Sequence, residues 1–352
     1  MSSNVLTEYK KYRTRNRRFI IVLLFLLVAV GVVALVAGSH RIGWHDLLAL
    51  LRGEGSPLNR QIILNIRLPR VLAAIATGVI LSVAGAIMQI LLRNPLASPY
   101  TLGISNAAAF GASFGIVVLG AGSGIASSSD LFMITNPYVI TLAAFWGSLL
   151  GLAIILVIVK VKQASAETII LSGVIINSLF GAGITVMQYA ANNVQLASIV
   201  FWSFGDLGRG DWYKLVFMMV VFIPALVYFY SKRWDYRVLS SGDDYAVSMG
   251  VFPQRTRVVG LIVTSLCTAV AVSFFGVIAF VGLVVPHIVR KCIGNNEEFL
   301  ITGTAVFGGM FLLLCDTVAR TVISPIVLPV GILTSFLGVP LFLFLLIRRK
   351  TA

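Results

Sequence analysis

Long uncharged runs separated by short polar segments dominate the chain. They extend from Phe19 to Ser39, Val71 to Leu92, Asn94 to Ser129, Leu131 to Val159, Thr168 to Gly205, Leu215 to Ser231, Val258 to Val289, Phe299 to Cys315 and Thr321 to Ile347. A charge at mid-bilayer costs about 2.5–3.5 kcal/mol even on the lenient insertion scale, so such runs mark where lipid can lie. Most hold one helix of about twenty residues, enough to cross the hydrocarbon core. In Asn94 to Ser129, Pro95 and Pro99 delay the helix to about Tyr100, and the Gly/Ser-rich tail from Gly120 predicts an outer loop. Thr168 to Gly205 divides into a span ending near Ala190, a break at Asn192 and Asn193, and a short outer helix with Phe201, Trp202 and Phe204. Val258 to Val289 has Arg255 and Arg257 before it and Arg290 and Lys291 after it. Both ends therefore face the same side, and the run predicts a hairpin of two spans turning at Gly276.

The pattern predicts an all-α, polytopic membrane protein of about ten spans with both termini cytoplasmic. It divides into an N-terminal tail over 1–18, a single transmembrane domain over 19–347 with a cytoplasmic loop at 232–257, and a C-terminal tail over 348–352. Composition agrees: 58% of the 352 residues are hydrophobic and 11% charged, with mean hydropathy +0.97. Soluble domains carry about 25% charged residues. The net charge of +14 reads through topology, since most of the Lys and Arg fall inside under this arrangement. No aromatic-interleaved basic stripe points to nucleic acid. The apolar stretch from Phe19 to Gly38 is longer than a signal-peptide core of about 7–15 residues, so it reads as an uncleaved first span. Cys267, Cys292 and Cys315 have no redox or zinc spacing, and His40, His45 and His287 no metal-ligand spacing. Neither cofactor nor metal is expected.

The longest charged island past residue 70 is the loop from Ser231 to Arg257. Within it Ser241, followed three residues later by Asp244, can cap a short helix whose Ala246 and Met249 share an apolar side, and Gly250 then Pro253 can end it. So apolar a chain gains little from such a helix unless a partner outside the membrane packs on it; the plainer reading is a capped turn between spans. On the second span Ala74, Gly78, Ser82 and Ala86 recur every four residues, a ridge that lets backbones approach closely. The fifth carries Gly173, Asn177, Gly181, Thr185 and Gln188 on one face, which must look at protein or water: interhelical packing on one reading, the wall of a path on the other. Arg67 and Arg70 bracket Pro69 at the outer mouth of the second span, and Arg320 ends the ninth; three outward-facing arginines with few acids nearby suit carboxylates of a partner or an anionic solute, or anchor helix ends at headgroups. On the inner side, Arg93 to Pro99 and Lys162 to Thr168 can form constrictions or plain connectors.

Neither a GxxxxGK[ST] phosphate loop nor a mid-depth carboxylate occurs, which argues against a nucleotide hydrolase and against an ion-coupled carrier. No nucleophile–base pairing suggests an enzyme.

RLPR at Arg67, GAIMQILLRNPLASPYTLGISNAAAFG from Gly85, FWSFGDLGRGDW from Phe201, FVGLVVPHIVR from Phe280, DTVAR from Asp316 and LPVGILTSFLGVPLFLFLL near the end together resemble the FecCD-type permeases. These are membrane subunits of binding-protein-dependent ABC importers for iron-siderophores, haem and cobalamin. The resemblance runs from about residue 20 to the C-terminus. It implies a ten-span subunit that pairs with a second permease subunit, identical or related, above two ATPase subunits and beneath an extracytoplasmic solute-binding protein. It implies that the loop containing Ser241, Asp243, Asp244, Ala246, Met249 and Gly250 seats in the ATPase, that Arg67, Arg70 and Arg320 dock the binding protein, and that inner gates lie at Asn94 and Leu96 and at Ala166 and Glu167, where the expected small hydroxylated residues are replaced. The wall of the path then includes Asn177, Gly181, Thr185 and Gln188. A ferric siderophore is the first expectation for the solute, with cobalamin or haem next, and an ion-coupled secondary transporter is the rival class.

Overall fold

The computed structural model describes residues 2–38, 42–54, 56–122, 124–125, 132–133, 136–162, 165–294 and 296–347. The tail predicted over 348–352 lies outside these residues. Fifteen α-helices carry the fold among them: α1 (Ser2–Val36), α2 (Trp44–Leu51), α3 (Pro57–Gln61), α4 (Leu68–Leu91), α5 (Ile104–Val117), α6 (Pro137–Lys162), α7 (Ala166–Ala190), α8 (Asn193–Ser203), α9 (Trp212–Ser231), α10 (Arg233–Ser240), α11 (Asp243–Ser248), α12 (Pro253–Phe275), α13 (Val281–Ile293), α14 (Glu297–Thr321) and α15 (Val330–Ile347). A π-helical turn over Ile62–Arg67 joins α3 to α4, and in the outer loop strand β1 (Gly124–Ile125) pairs antiparallel with β2 (Phe132–Met133). Seven helices are long and apolar enough to cross a membrane, and α5 and the apolar part of α15 are shorter. With α13 these make about ten membrane helices, as the hydropathy pattern predicts.

The molecule is built around α4. In the continuous helical rod Pro57–Leu91, 83% of the most apolar window is buried, against 11% for α1. The small-residue ridge explains why: Ala74, Gly78, Ser82 and Ala86 are all buried. A Cβ on Gly78 would collide with the carbonyl of Gly308 on α14, and one on Gly85 with the backbone of Gly282 on α13. Ser82 Oγ, in the same seam, donates to Thr304 O at 2.9 Å. A second close crossing joins α5 to α6, where a Cβ on Gly147 would lie 2.9 Å from Gly111 Cα. Dispersion across these backbone contacts, rather than water exclusion, holds helices together in lipid.

Local chemistry shifts several boundaries. The third span starts at Ile104, not near Tyr100, because Ser98 and Thr101 bond to each other and fold the connector into turns: Ser98 N–H donates to Thr101 Oγ1 at 2.9 Å, and Thr101 Oγ1 donates to Ser98 O at 2.9 Å. Asn192 caps α8 in a reciprocal box with Gln195, at the predicted break. The predicted hairpin is uneven. Gly276, at φ +75°, ends α12 at full length, residues 276–280 are unwound, and α13 has 13 residues. At about 1.5 Å per residue α13 rises about 20 Å, short of a full crossing. The N-terminal tail is no separate unit, since α1 runs unbroken from Ser2. Tyr12 Oη at 2.7 Å and Asn16 Nδ2 at 3.2 Å both donate to Ile293 O at the end of α13.

Candidate functional site

The charged loop folds as two short helices, α10 and α11. Ser241 does not cap α11. Its own N–H donates to Val238 O at 3.1 Å, finishing α10, and the position before α11 is Gly242 at φ +128°. That backbone is open to glycine and strained for other residues, so the turn is made by conformation rather than by a hydroxyl cap. The other end follows the sequence reading. Gly250 sits left-handed at φ +78°, Val251 N–H donates to Ala246 O at 2.9 Å and Gly250 N–H to Val247 O at 3.0 Å, the paired bonds of a Schellman ending. Pro253 then starts α12.

Ala246 and Met249 do not share a face. Ala246 is fully buried against the chain's own core, whereas Met249 lies beyond the helix end and is 46% exposed. The apolar surface turned outward consists of Tyr245, Val247, Met249 and Phe252, with Val247 at 62% and Phe252 at 71% exposure. Asp244 stands in the first turn of α11. Asp243, beside it, is turned toward Arg257 with its side chain 39% exposed. Its carboxylate accepts from Arg257 Nη1 at 2.7 Å and Nη2 at 2.6 Å, and Arg93 Nη2 lies 3.6 Å away. Arg257 is 2% exposed, and its Nε donates to Leu91 O at 2.9 Å, at the end of α4. The two hydrogen bonds from Arg257, with its charge and that of Arg93, hold the Asp243 carboxyl below the usual range.

Arg93 opens the connector that carries the first predicted gate pair. Asn94 Oδ1 accepts from Leu96 N–H at 2.9 Å, an Asx turn that fixes Leu96 at 47% exposure. The second pair, Ala166 and Glu167, forms the first residues of α7 behind Ser165, whose Oγ accepts from Thr168 N–H at 3.1 Å. On α7, Asn177 Nδ2 donates to Thr101 O at 2.9 Å and Oδ1 accepts from Asn106 Nδ2 at 2.8 Å. This side chain ties α7 to α5 and to the end of the connector that follows α4. Gly181 has open space around it, and Thr185 is exposed, bonding back to Gly181 O at 3.1 Å. Gln188 is half-buried.

The outer arginines do not stand free in search of acids. Arg67, 5% exposed, donates from Nη1 to Leu35 O at 2.7 Å and Val36 O at 2.6 Å, closing the end of α1. Arg70 grips the fully buried Asp316 through Nε at 3.1 Å and Nη2 at 2.7 Å. Arg320 pairs with the same carboxylate, Nε to Oδ2 at 3.1 Å, and donates to Ala34 O and Ala37 O, both at 3.2 Å. Asp206 approaches Arg70 at 3.8 Å. The expectation of outward-facing arginines with few acids nearby is therefore corrected: Arg70 and Arg320 converge on one buried carboxylate, and Arg67 and Arg320 on the carbonyls ending α1. Sequence reading missed the roles of Asp316, Arg257 and Arg93. The four-residue spacing of Asp316 and Arg320 on one helix signals their pairing; no local signal links Asp316 to Arg70 or Asp243 to Arg257.

Close-packed membrane helices, a paired short-helix unit bearing an exposed apolar surface, and a connector tied to it make up a multi-pass membrane protein. The chain belongs to the FecCD transport family, whose model matches residues 26–348. A Methanocaldococcus jannaschii protein named as an ABC transporter permease, MJ0087, is 50% identical over 97% of both chains. The hemin transport system permease HmuU of Yersinia pestis is 36% identical, covering 93% of this chain and 95% of its own. A solved inward-facing structure described as a metal-chelate type ABC transporter superposes with TM-score 0.82 at 28% identity, covering 94% of this chain and 99% of that one. Relatives at 31% and 32% identity are named for molybdate and for vitamin B12 import.

Proposed function

We propose that this chain lines half of the pathway of an ABC importer that carries an iron chelate, of the ferric siderophore type, across the cytoplasmic membrane. Two copies, or this chain and a relative, enclose the path. Two ATPase subunits grip the surface of Tyr245, Val247, Met249 and Phe252 from the cytosol, where both termini also lie. Their closure tilts the spans, and the chelate passes between the gate pairs Asn94/Leu96 and Ala166/Glu167 chemically unchanged. The open outer half of the α7 face, at Gly181, Thr185 and Gln188, serves as wall. A solute-binding protein docks at the outer rim, where Arg67, Arg70 and Arg320 outnumber Asp316 and Asp206; the surplus positive charge draws an acidic partner even though these side chains are engaged. Metal-chelate and hemin relatives support the chelate class.

The observation that carries this reading is the exposed apolar face of α11 on an otherwise lipid-facing chain. Val247→Asp with Phe252→Asp should abolish co-purification of the ATPase while changing the chain's own stability by less than about 0.5 kcal/mol, as exposed substitutions do. Retained ATPase binding would sink the docking surface. Ferric hydroxamate uptake into proteoliposomes driven by an ion gradient, with no ATPase present, would favour the secondary carrier instead.

A further inference from the structure

The exposed face of α11 explains how a motor could hold the loop, but not how the loop's movement reaches the gate. The inward face of the same helix carries that link. Asp243 stands in its first turn and is bound by both terminal guanidinium nitrogens of Arg257, the geometry of a fork on a carboxylate. Arg257 belongs to the first turns of α12 and simultaneously caps α4 through Leu91 O. Arg93, two residues past the end of α4, adds its charge at 3.6 Å and holds a left-handed backbone, φ +45°. From there the connector is stiff: Asn94 N–H donates to Gln89 O at 3.1 Å, Ala97 N–H to Asn94 O at 3.1 Å, and Ser98 and Thr101 lock the far side. One turn higher, Arg290 Nη1 donates to Gln89 Oε1 at 2.5 Å, so α13 grips the same end of α4. A displacement of α11 thus has a polar route of short bonds to α4 and to Leu96. The neighbouring Gly242, at φ +128°, makes the turn that presents Asp243 to the clasp on a backbone strained for any other residue.

We propose that Asp243 is the positioning residue that transmits the loop's movement to the inner gate, through a clasp with Arg257 and Arg93, without itself touching the ATPase. This rests on the importer reading.

The test needs no solute. In the Cys292→Ser background, which removes the exposed native thiol, Leu96→Cys is labelled with a membrane-impermeant maleimide in the assembled permease–ATPase complex, with and without ATP. The wild-type clasp gives an ATP-dependent change in labelling rate. Asp243→Ala and the milder Asp243→Asn should reduce that change about tenfold, the equivalent of one charged hydrogen-bonded pair of about 1.4 kcal/mol, while ATP hydrolysis and subunit assembly stay at wild-type level. Asp243→Glu should restore most of it, and Asp235→Ala on α10, whose partner is Lys232, should leave it intact. An unchanged labelling response in Asp243→Ala, or loss of ATPase binding in Asp243→Asn, overturns the clasp while leaving the importer reading in place. A clasp-intact complex whose labelling ignores ATP overturns the importer reading and the clasp with it.

Discussion

Replacing Asp316 by Asn separates a structural outer cluster from a docking one. Asp316 has no exposed surface, and the arginines on it, Arg70 and Arg320, have side chains 13% and 7% exposed. Arginine cannot relieve the loss by giving up its proton. Removing one partner of a buried ionic cluster costs about 3–5 kcal/mol, because the remaining charge stays buried without compensation. Asn keeps one acceptor oxygen and brings an amide donor against two guanidiniums, so the lower end, about 3 kcal/mol, is expected for Asp316→Asn and the upper end for Asp316→Ala. At about 1.4 kcal/mol per factor of ten, 3 kcal/mol is a rise of roughly a hundredfold in local opening. Hydrogen exchange of the amides over residues 314–321, in detergent micelles and without any partner, reads that opening directly. Adding Arg70→Gln to Asp316→Asn removes one stranded charge and should recover part of the protection. Equal exchange in wild type and Asp316→Asn would refute the buried cluster, since arginines held for an external partner would not register the change in the isolated chain.

Two further outcomes test the packing and the clasp. Gly308→Ala should destabilise the isolated chain by about 1–3 kcal/mol, the usual cost of overpacking, because its Cβ would fall 2.5 Å from Ser82 Cβ; thermal unfolding in micelles checks it, and Ser82→Gly should restore part of the loss. The depressed Asp243 carboxyl contributes stability that is fully present above its unfolded value of about 3.9 and is lost as pH falls through the lower folded value. The difference in unfolding midpoint between wild type and Asp243→Asn should therefore be constant from pH 7 to about 5 and shrink below about 4. A difference that grows on acidification would contradict the pairing.

The spans were legible because charge is excluded from lipid, so the sequence announces each crossing by what it lacks. The same rule could not measure α13. The unwound residues 276–280, GVIAF, carry neither charge nor proline, and the turn begins at Gly276, whose positive φ and close approach to the Trp202 carbonyl of α8 are long-range facts that no local pattern announces. The seam of Ala74, Gly78, Ser82 and Ala86 was readable because a helix repeats its neighbours every four residues, and Gly250 because a C-terminal glycine is a local device. Ser241 misled for a local reason too: a hydroxyl ahead of an acid is a capping signal, but the adjacent Gly242 turns the chain by backbone freedom and leaves the serine to finish α10. Ala246 misled because spacing identifies a face without saying whether that face looks at a partner or at the chain's own core.

The charged residues show the deeper limit. In water an arginine near a helix end is a surface group by default, so Arg67, Arg70 and Arg320 read as free; at the rim of a bilayer, carbonyls at the end of α1 and a buried carboxylate compete for them, and for Arg67 and Arg70 those partners lie more than thirty residues away along the chain. The same competition forms the clasp beside α11, where Arg257 serves Leu91 O and Asp243 at once. In each case a long-range polar contact stands at an end of α4, one near Arg67 and Arg70, one at Leu91. A helix pinned by charge at both ends and packed by glycines along its length is held to its neighbours over its whole span, as the importer reading requires of the element that links the loop surface to the path.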